Sequence, residues 1–178
     1  IYPNIFLRIA EESGLISEID EWVVDEVCRQ ILAWDCAGAW DFPVAINLSS
    51  QHFLRPKLLA RLAAQVGTAR IQPKRLCLEI SEDVLVNFEA APRLLGNLHE
   101  NGFRISVDNF GSGHASQWYL KRFPLDEVKI HPRFIDGVAD NQDDRAFTQA
   151  IINLAQELNL HTVAKGVESE AQLKALKE

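Results

Sequence analysis

Apolar residues along the chain alternate between two spacings. Near the amino terminus they recur at every third or fourth position, which predicts an amphipathic helix over residues 17–35. Further along, short apolar runs that predict buried strands alternate with segments of helical spacing. The predicted strands cover residues 43–48, 76–80, 103–108, 127–130 and 161–164. The predicted helices that follow them cover residues 54–66, 88–101, 117–122, 142–158 and 170 onward.

This order of elements predicts an α/β fold. A strand followed by a helix, repeated along the chain, builds a parallel sheet, because right-handed β/α units place successive strands side by side. The strands are short and largely apolar, as expected when helices cover both faces of the sheet. An open doubly wound sheet and a β/α barrel both fit this periodicity. No linker or low-complexity tract interrupts the sequence, so we expect a single domain over residues 1–178.

The amino-acid composition argues against two classes of binding partner, nucleic acids and membranes. The formal charge of −7 argues against binding to nucleic acid, which requires clustered Lys and Arg. No apolar run approaches the ~18 residues of a membrane span, so we expect this domain not to contact a membrane.

The cysteines Cys28, Cys36 and Cys77 have no CxxC spacing and predict buried free thiols in a cytoplasmic protein. The first residue is not Met, so we expect a segment of a longer polypeptide, which could be anchored to a membrane elsewhere.

Polar side chains end each predicted strand. In parallel β/α folds the carboxyl ends of the strands form one rim, where functional sites are placed. Oxygen ligands beside a cationic group are typical of a hard-cation site with an adjacent charged catalyst. The residues at the successive strand ends are Asn47, then Glu79 and Glu82, then Asp108 and Asn109, then Lys129 and His131, and finally Lys165 and Glu168.

Each of these residues also has a simpler interpretation. Asn47 could cap the next helix. Asp108 precedes a glycine loop and could belong to a turn. Glu79 lies inside an apolar strand and requires a metal or a cationic partner there. Lys129 lies between two apolar residues and would be costly to bury unless it faced carboxylates. The glycine loop matches neither GxGxxG nor the P-loop pattern, so it predicts no nucleotide site of those kinds.

Five segments together resemble a known family. They are A-I-N-L-S at 45–49, L-C-L-E-I-S-E at 76–82, I-S-V-D-N-F-G-S-G at 105–113, Y-L-K-R-F-P at 119–124 and V-A-K-G-V-E at 163–168. In this order they are similar to the motifs of the EAL domain family, the cyclic-di-GMP phosphodiesterases of bacterial second-messenger signalling. The resemblance extends over most of the chain. It implies a modified TIM-type (β/α) barrel, and in this family the barrel begins before residue 1 and ends after residue 178. We therefore expect the given chain to be incomplete at both ends.

The resemblance also implies a chemistry. Active members use two divalent cations, Mg²⁺ or Mn²⁺, to activate the water that hydrolyses cyclic di-GMP to linear pGpG. Asn47, Glu79 and Asp108 match metal ligands of the family. Lys129 matches the lysine beside the attacking water, and Glu168 matches a further acidic site residue. Glu82 matches a glutamate that steadies the glycine loop.

Three positions depart from this pattern. Asn109, His131 and Lys165 stand where the family has two aspartates and a glutamate. The formal charge of the ring is thereby about −2 instead of about −6, and an ammonium has no lone pair for a metal. We expect no stable two-metal site, with Lys165 paired instead to Asp108 or Glu168.

These departures predict a catalytically degenerate module that acts as a cyclic-di-GMP receptor or as a regulatory, interacting domain. The alternative is an active Mg²⁺- or Mn²⁺-dependent phosphodiesterase. A third hypothesis is a partner-binding domain that has lost the ligand as well. Family resemblance suggests GGDEF, PAS or PilZ-type signalling domains as partners, together with a homodimer.

Overall fold

The computed structural model describes residues 3–38, 42–48, 56–113 and 117–177. The chain divides into two compact units: the first unit comprises residues 1–79 and 93–104, and the second unit comprises residues 80–92 and 105–178. Five strands form one sheet and follow one another in chain order. This arrangement confirms the predicted α/β class.

The elements alternate as the apolar pattern indicates. The strands are β1 Val44–Asn47, β2 Leu76–Ser81, β3 Arg104–Phe110, β4 Glu127–Ile130 and β5 His161–Ala164. The α-helices are α1 Pro3–Ser13, α2 Ile16–Cys36, α3 Pro56–Thr68, α4 Glu82–Asn87, α5 Ala91–Glu100, α6 Gln117–Arg122, α7 Pro132–Asp136, α8 Gln142–Glu157 and α9 Glu170–Lys177. A short 3₁₀ helix, Pro73–Arg75, precedes β2.

The first unit is organised around α2. This helix buries Val24, Cys28 and Ile31 on one face, at the spacing of successive helical turns. It packs against α1, α3 and β1. Burial of each aliphatic side chain of this size stabilises the fold by about 1.5–3 kcal/mol. Strand β1 pairs in parallel with β2, from Val44 opposite Leu76 onward. The helix therefore packs against β1, the strand that ends at Asn47 and pairs with β2.

The second unit contains the later β/α repeats. Strands β3, β4 and β5 pair in parallel, and α8 packs against α7, β4 and β5. The side chain of Asn141 begins α8, because its Oδ1 accepts hydrogen bonds from the backbone N–H groups of Asp143 and Asp144. Within the sheet the Asp126 carboxylate accepts from the backbone N–H of Ile105, 2.8 Å away. These contacts fix the strands whose ends carry the remaining polar residues.

Several local predictions were wrong. The helix predicted over residues 88–101 is α5, which begins only at Ala91, because Phe88 is extended and Pro92 lies in the first turn of the helix. The apolar pattern did not predict α1, α4 or α7. Strand β5 is not covered on both faces, since His161, Thr162 and Val163 are exposed.

The cysteines are free, as predicted. Cys28 and Cys77 are buried, but Cys36 is exposed near the end of α2, so the prediction of burial was wrong for that thiol. Burial raises the pKa of the Cys28 thiol, and the neighbouring Asp25 carboxylate adds to the effect. Within the part of the chain that the structure describes, no helix is both long and apolar enough to cross a membrane.

Candidate functional site

The first unit brings two of the predicted ligands to adjacent strand ends. Asn47 and Glu79 are partners in the register of β1 and β2. The backbone N–H of Leu48 donates to the Glu79 carbonyl at 2.8 Å, which extends the pairing one residue beyond Asn47. Glu79 is buried, with 7% exposure, whereas Asn47 is exposed. One amide and one buried carboxylate thus lie side by side, a donor set suited to a hard cation.

In the second unit, a β-bulge rearranges the polar end of β3. Val107 pairs with Val128 and Phe110 with Ile130, so Asp108 and Asn109 together oppose the single residue Lys129. Asn109 has a φ of +55°, a left-handed conformation that asparagine tolerates better than most residues. Successive side chains of a regular strand point to opposite faces, and a bulge breaks that alternation. Asp108 and Asn109 can therefore reach the same partner.

That partner is Lys165, from the loop after β5. Its Nζ lies 2.7 Å from Oδ1 and 2.9 Å from Oδ2 of Asp108, and 3.2 Å from Oδ1 of Asn109. The Asn109 amide also donates to Oδ2 of Asp108 at 3.1 Å. The side chain of Asp108 is 12% exposed and that of Lys165 is 34% exposed. The carboxylate is therefore largely removed from water, and the more exposed lysine side chain contacts it. We call these three residues the ammonium triad.

The ammonium triad does not fit a divalent cation at this position. Both carboxylate oxygens of Asp108 and the amide oxygen of Asn109 already accept from Lys165. A metal could bind these oxygens only by displacing the ammonium, which has no lone pair of its own to offer. Among the residues that the structure describes, no cluster of three His, Cys, Asp or Glu side chains is placed to hold a metal ion.

The glycine loop after β3 is held by Glu82. This residue is almost fully buried, and its Oε2 accepts hydrogen bonds from the backbone N–H groups of Gly111 at 3.1 Å and Gly113 at 3.0 Å. Hydrogen bonds to a charged acceptor are stronger than neutral ones. A Cβ on Gly113 would lie 3.3–3.4 Å from this carboxyl group, so the close approach favours glycine there. One carboxylate therefore holds two points of the loop.

The other predicted site residues have separate positions in the second unit. Lys129 is half-buried in β4 and lies opposite Val163 of β5. His131 begins α7, where its Nδ1 accepts from the backbone N–H of Arg133 at 3.1 Å. Glu168 is exposed in the loop that also carries Lys165. The side chain of His131 therefore caps α7, a role that the sequence did not predict for it.

Gln172 positions the backbone at Glu168 and Ser169, and the sequence analysis did not predict this role. It is buried, and its Oε1 accepts from the backbone N–H groups of Glu168 at 2.8 Å and Ser169 at 2.9 Å. Its backbone N–H donates to the Ser169 hydroxyl, and its Nε2 donates to the carbonyl of Ile135 in α7. The S-x-x-Q spacing of a capping box signals the local part of this arrangement. Gln172 and Ile135 are 37 residues apart in the chain, so no local sequence pattern predicts their contact.

Gln172→Leu is expected to lower the free energy of unfolding by about 2 kcal/mol, because it removes the acceptor of two backbone N–H groups while preserving side-chain size. Urea unfolding followed by circular dichroism measures the change. The matched control is Gln156→Leu, at an exposed position of α8, where we expect a change within about 0.5 kcal/mol. Equal effects of the two substitutions would show that the buried contacts contribute little.

Comparison with known proteins gives consistent matches. The family model described as "EAL domain" matches residues 1–178. The chain is 41% identical over 173 residues to the bifunctional diguanylate cyclase/cyclic di-GMP phosphodiesterase MucR of Pseudomonas aeruginosa, covering 97% of this chain and 25% of that protein. It is 37% identical over 177 residues to the signalling protein YkoW of Bacillus subtilis, covering 99% of this chain and 22% of that protein.

Solved structures agree with the sequence comparisons. The MucR phosphodiesterase of Pseudomonas aeruginosa in complex with c-di-GMP superimposes with a TM-score of 0.94 at 40% identity, covering 99% of this chain and 72% of that one. The chain thus spans about a quarter of the length of the full relatives that it matches.

Proposed function

The chain belongs to the EAL domain family, and from this premise we propose that it is a cyclic-di-GMP signalling domain that has lost hydrolysis and acts as a receptor or regulatory module. The observation that carries the proposal is the Lys165 ammonium, which donates to both oxygens of Asp108. In the motif that residues 163–168 resemble, active members have a glutamate at this position. A glutamate can bind a metal, whereas an ammonium repels one.

The chemistry of hydrolysis explains why this exchange matters. In two-metal sites the cations stabilise both the attacking and the leaving oxygen of a phosphodiester, and they lower the pKa of the attacking water. Within the ammonium triad, Lys165 occupies the oxygens of Asp108 and Asn109 that would support the second cation. Lys165 can neutralise an anion, but it cannot activate water in this way. Loss of turnover is the expected consequence.

Binding of the dinucleotide requires fewer functional groups than its hydrolysis does. Cyclic di-GMP carries two phosphodiester anions, and an anionic ligand needs cationic or N–H donors near the phosphates. The second unit provides one such cation in Lys129, which is half-buried in β4. The charge of Lys165 is instead balanced by Asp108. This distribution of charge supports a receptor.

Hydrolysis and binding by the full-length protein test the proposal. With cyclic di-GMP and Mg²⁺ or Mn²⁺, chromatography is expected to detect no pGpG above the protein-free control. Calorimetry is expected to detect binding with a Kd on the order of micromolar. Robust metal-dependent hydrolysis would contradict the loss of activity. Absence of binding at high ligand concentration would contradict the receptor and favour the hypothesis of a partner-binding domain.

A working phosphodiesterase is the second candidate, favoured by the 41% identity to MucR, which is named a phosphodiesterase. In that case Asp108, which matches a metal ligand of the family, would help to hold a Mg²⁺ or Mn²⁺ ion, and the ion would supply an activated water. Asp108→Ala is then expected to reduce turnover by at least about 100-fold. The matched control is Asp136→Ala, at an exposed position of α7, which should retain activity. Equal inactivity of the parent and Asp108→Ala would refute this candidate.

A further inference from the structure

We infer that the Lys165 ammonium is a covalently tethered cation, which permanently neutralises Asp108, is hydrogen-bonded to Asn109, and makes this cluster independent of divalent metal. The inference concerns the same site as the proposed function and rests on it for the identity of the ligand. It explains how these oxygens are satisfied without a metal ion, and it predicts that substitution of Lys165 lets a metal ion bind them.

The hydrogen bonds of the ammonium are complete. An ammonium has three N–H donors, and Nζ of Lys165 has three oxygen acceptors, at 2.7, 2.9 and 3.2 Å. Carboxylate and amide oxygens are also the ligands that Mg²⁺ and Ca²⁺ prefer. The ammonium therefore contacts the kind of oxygen cluster that a hard cation would otherwise bind, and it neutralises the single negative charge of Asp108.

Asn109 is chemically matched to Lys165. Its Oδ1 accepts from the ammonium while its Nδ2 donates to Oδ2 of Asp108 at 3.1 Å. An aspartate at this position would provide no donor and would place a second carboxylate against Asp108. The triad would then carry a net charge of about −1, because one ammonium cannot balance two carboxylates. Asparagine at 109 and lysine at 165 thus form a neutral set with Asp108, and each residue suits the other.

The backbone on both sides holds this set in place. The bulge in β3 directs Asp108 and Asn109 toward the same ammonium. Gly166, directly after Lys165, has a φ of +79°, and a Cβ on it would lie 3.3 Å from Pro132. Further along the same loop, Gln172 binds the backbone at Glu168 and Ser169. Since the cation is part of the chain, neither dilution nor a chelator can remove it, unlike a bound metal.

Thermal melting with and without metal tests the tethered cation. Lys165→Ala leaves the buried Asp108 carboxylate without its cation, so its melting temperature in EDTA is expected to fall by roughly 4–8 °C. Addition of 10 mM Mn²⁺ should raise the melting temperature of this variant by roughly 3 °C or more, because the oxygens that Lys165 no longer occupies can then bind the ion. The parent protein should change by less than about 1 °C. The matched control, Lys174→Ala on α9, removes the same charge at an exposed position and should behave as the parent does.

Two further variants keep the test decisive. Lys165→Met preserves the aliphatic chain if the alanine variant folds poorly, and it should show the same rescue by Mn²⁺. Asn109→Asp combined with Lys165→Glu supplies two additional carboxylates and should respond at a lower Mn²⁺ concentration than either single variant of Lys165. An increase in the melting temperature of the parent equal to that of Lys165→Ala would overturn the inference. So would an unchanged melting temperature of both single variants in EDTA.

Ligand binding separates this inference from the proposed function. In calorimetry, the parent is expected to bind cyclic di-GMP with the same Kd, within about twofold, in EDTA and in Mg²⁺. Binding that requires Mg²⁺ would overturn the metal-independent site and leave the receptor intact. If the dinucleotide binds in neither buffer but the melting results are as expected, the receptor is refuted and the tethered cation is supported.

Discussion

Gly111→Ala is expected to lower the free energy of unfolding by about 3 kcal/mol. Gly111 has a φ of +94°, where an L-residue is strained by about 1–2 kcal/mol. A Cβ there would lie 2.9 Å from Cε2 of Phe134 and 3.1 Å from Cε1 of Phe147, well inside van der Waals contact. The two rings stack with their centroids 4.2 Å apart, and although Phe147 is exposed, Phe134 is buried and has little room to move away from the added methyl group. Strain and overpacking therefore add.

Gly96→Ala provides the matched control. Gly96 lies within α5, and a Cβ there would meet nothing within 4 Å. Since alanine is a better helix former than glycine, this substitution should raise the free energy of unfolding by about 0.5–1 kcal/mol. Urea unfolding of the parent and both variants measures the difference. If both substitutions changed the free energy in the same direction, the close packing at Gly111 would not be important.

Glu82→Ala is also expected to cost about 3 kcal/mol of unfolding free energy. The buried carboxylate accepts from the backbone N–H groups of Gly111 and Gly113, and each bond to a charged acceptor contributes about 1.5–3 kcal/mol. Alanine leaves both N–H groups without this acceptor, although water can reach part of the loop. We expect hydrogen exchange of these two amides to accelerate more than that of the β3 amides, because the loop opens before the strand does.

Asp83→Ala is the control for charge and helix position. Asp83 is exposed beside Glu82 in the first turn of α4, so both substitutions remove an acidic residue from the same helix terminus. We expect Asp83→Ala to cost about 0.5 kcal/mol. The combination of Glu82→Ala with Gly111→Ala should cost less than the two separate effects together, because both release the same loop. Full additivity would indicate that Glu82 and Gly111 act independently.

One contact of the candidate site, the pairing of Lys165 with a carboxylate, could be predicted from the sequence. Lys165 was expected to pair with Asp108 or Glu168, and its ammonium contacts Asp108. This pairing was predictable because an ammonium introduced among carboxylates lowers its energy by approaching one of them. The choice of Asp108 over Glu168 was not, since the two carboxylates differ only in where the folded backbone places them. Glu168 is exposed and Asp108 is buried.

The amino-acid sequence by itself determined the alternation of strands and helices, the polar strand ends and the family. Apolar periodicity reports which face of each element is buried, and that information is local. Only the tertiary structure decided that a bulge would place Asp108 and Asn109 on one ammonium, and that Gln172 would reach Ile135. Those contacts join residues 37 to 57 positions apart in the chain. Their geometry depends on strand register and on loop paths, which no local pattern specifies.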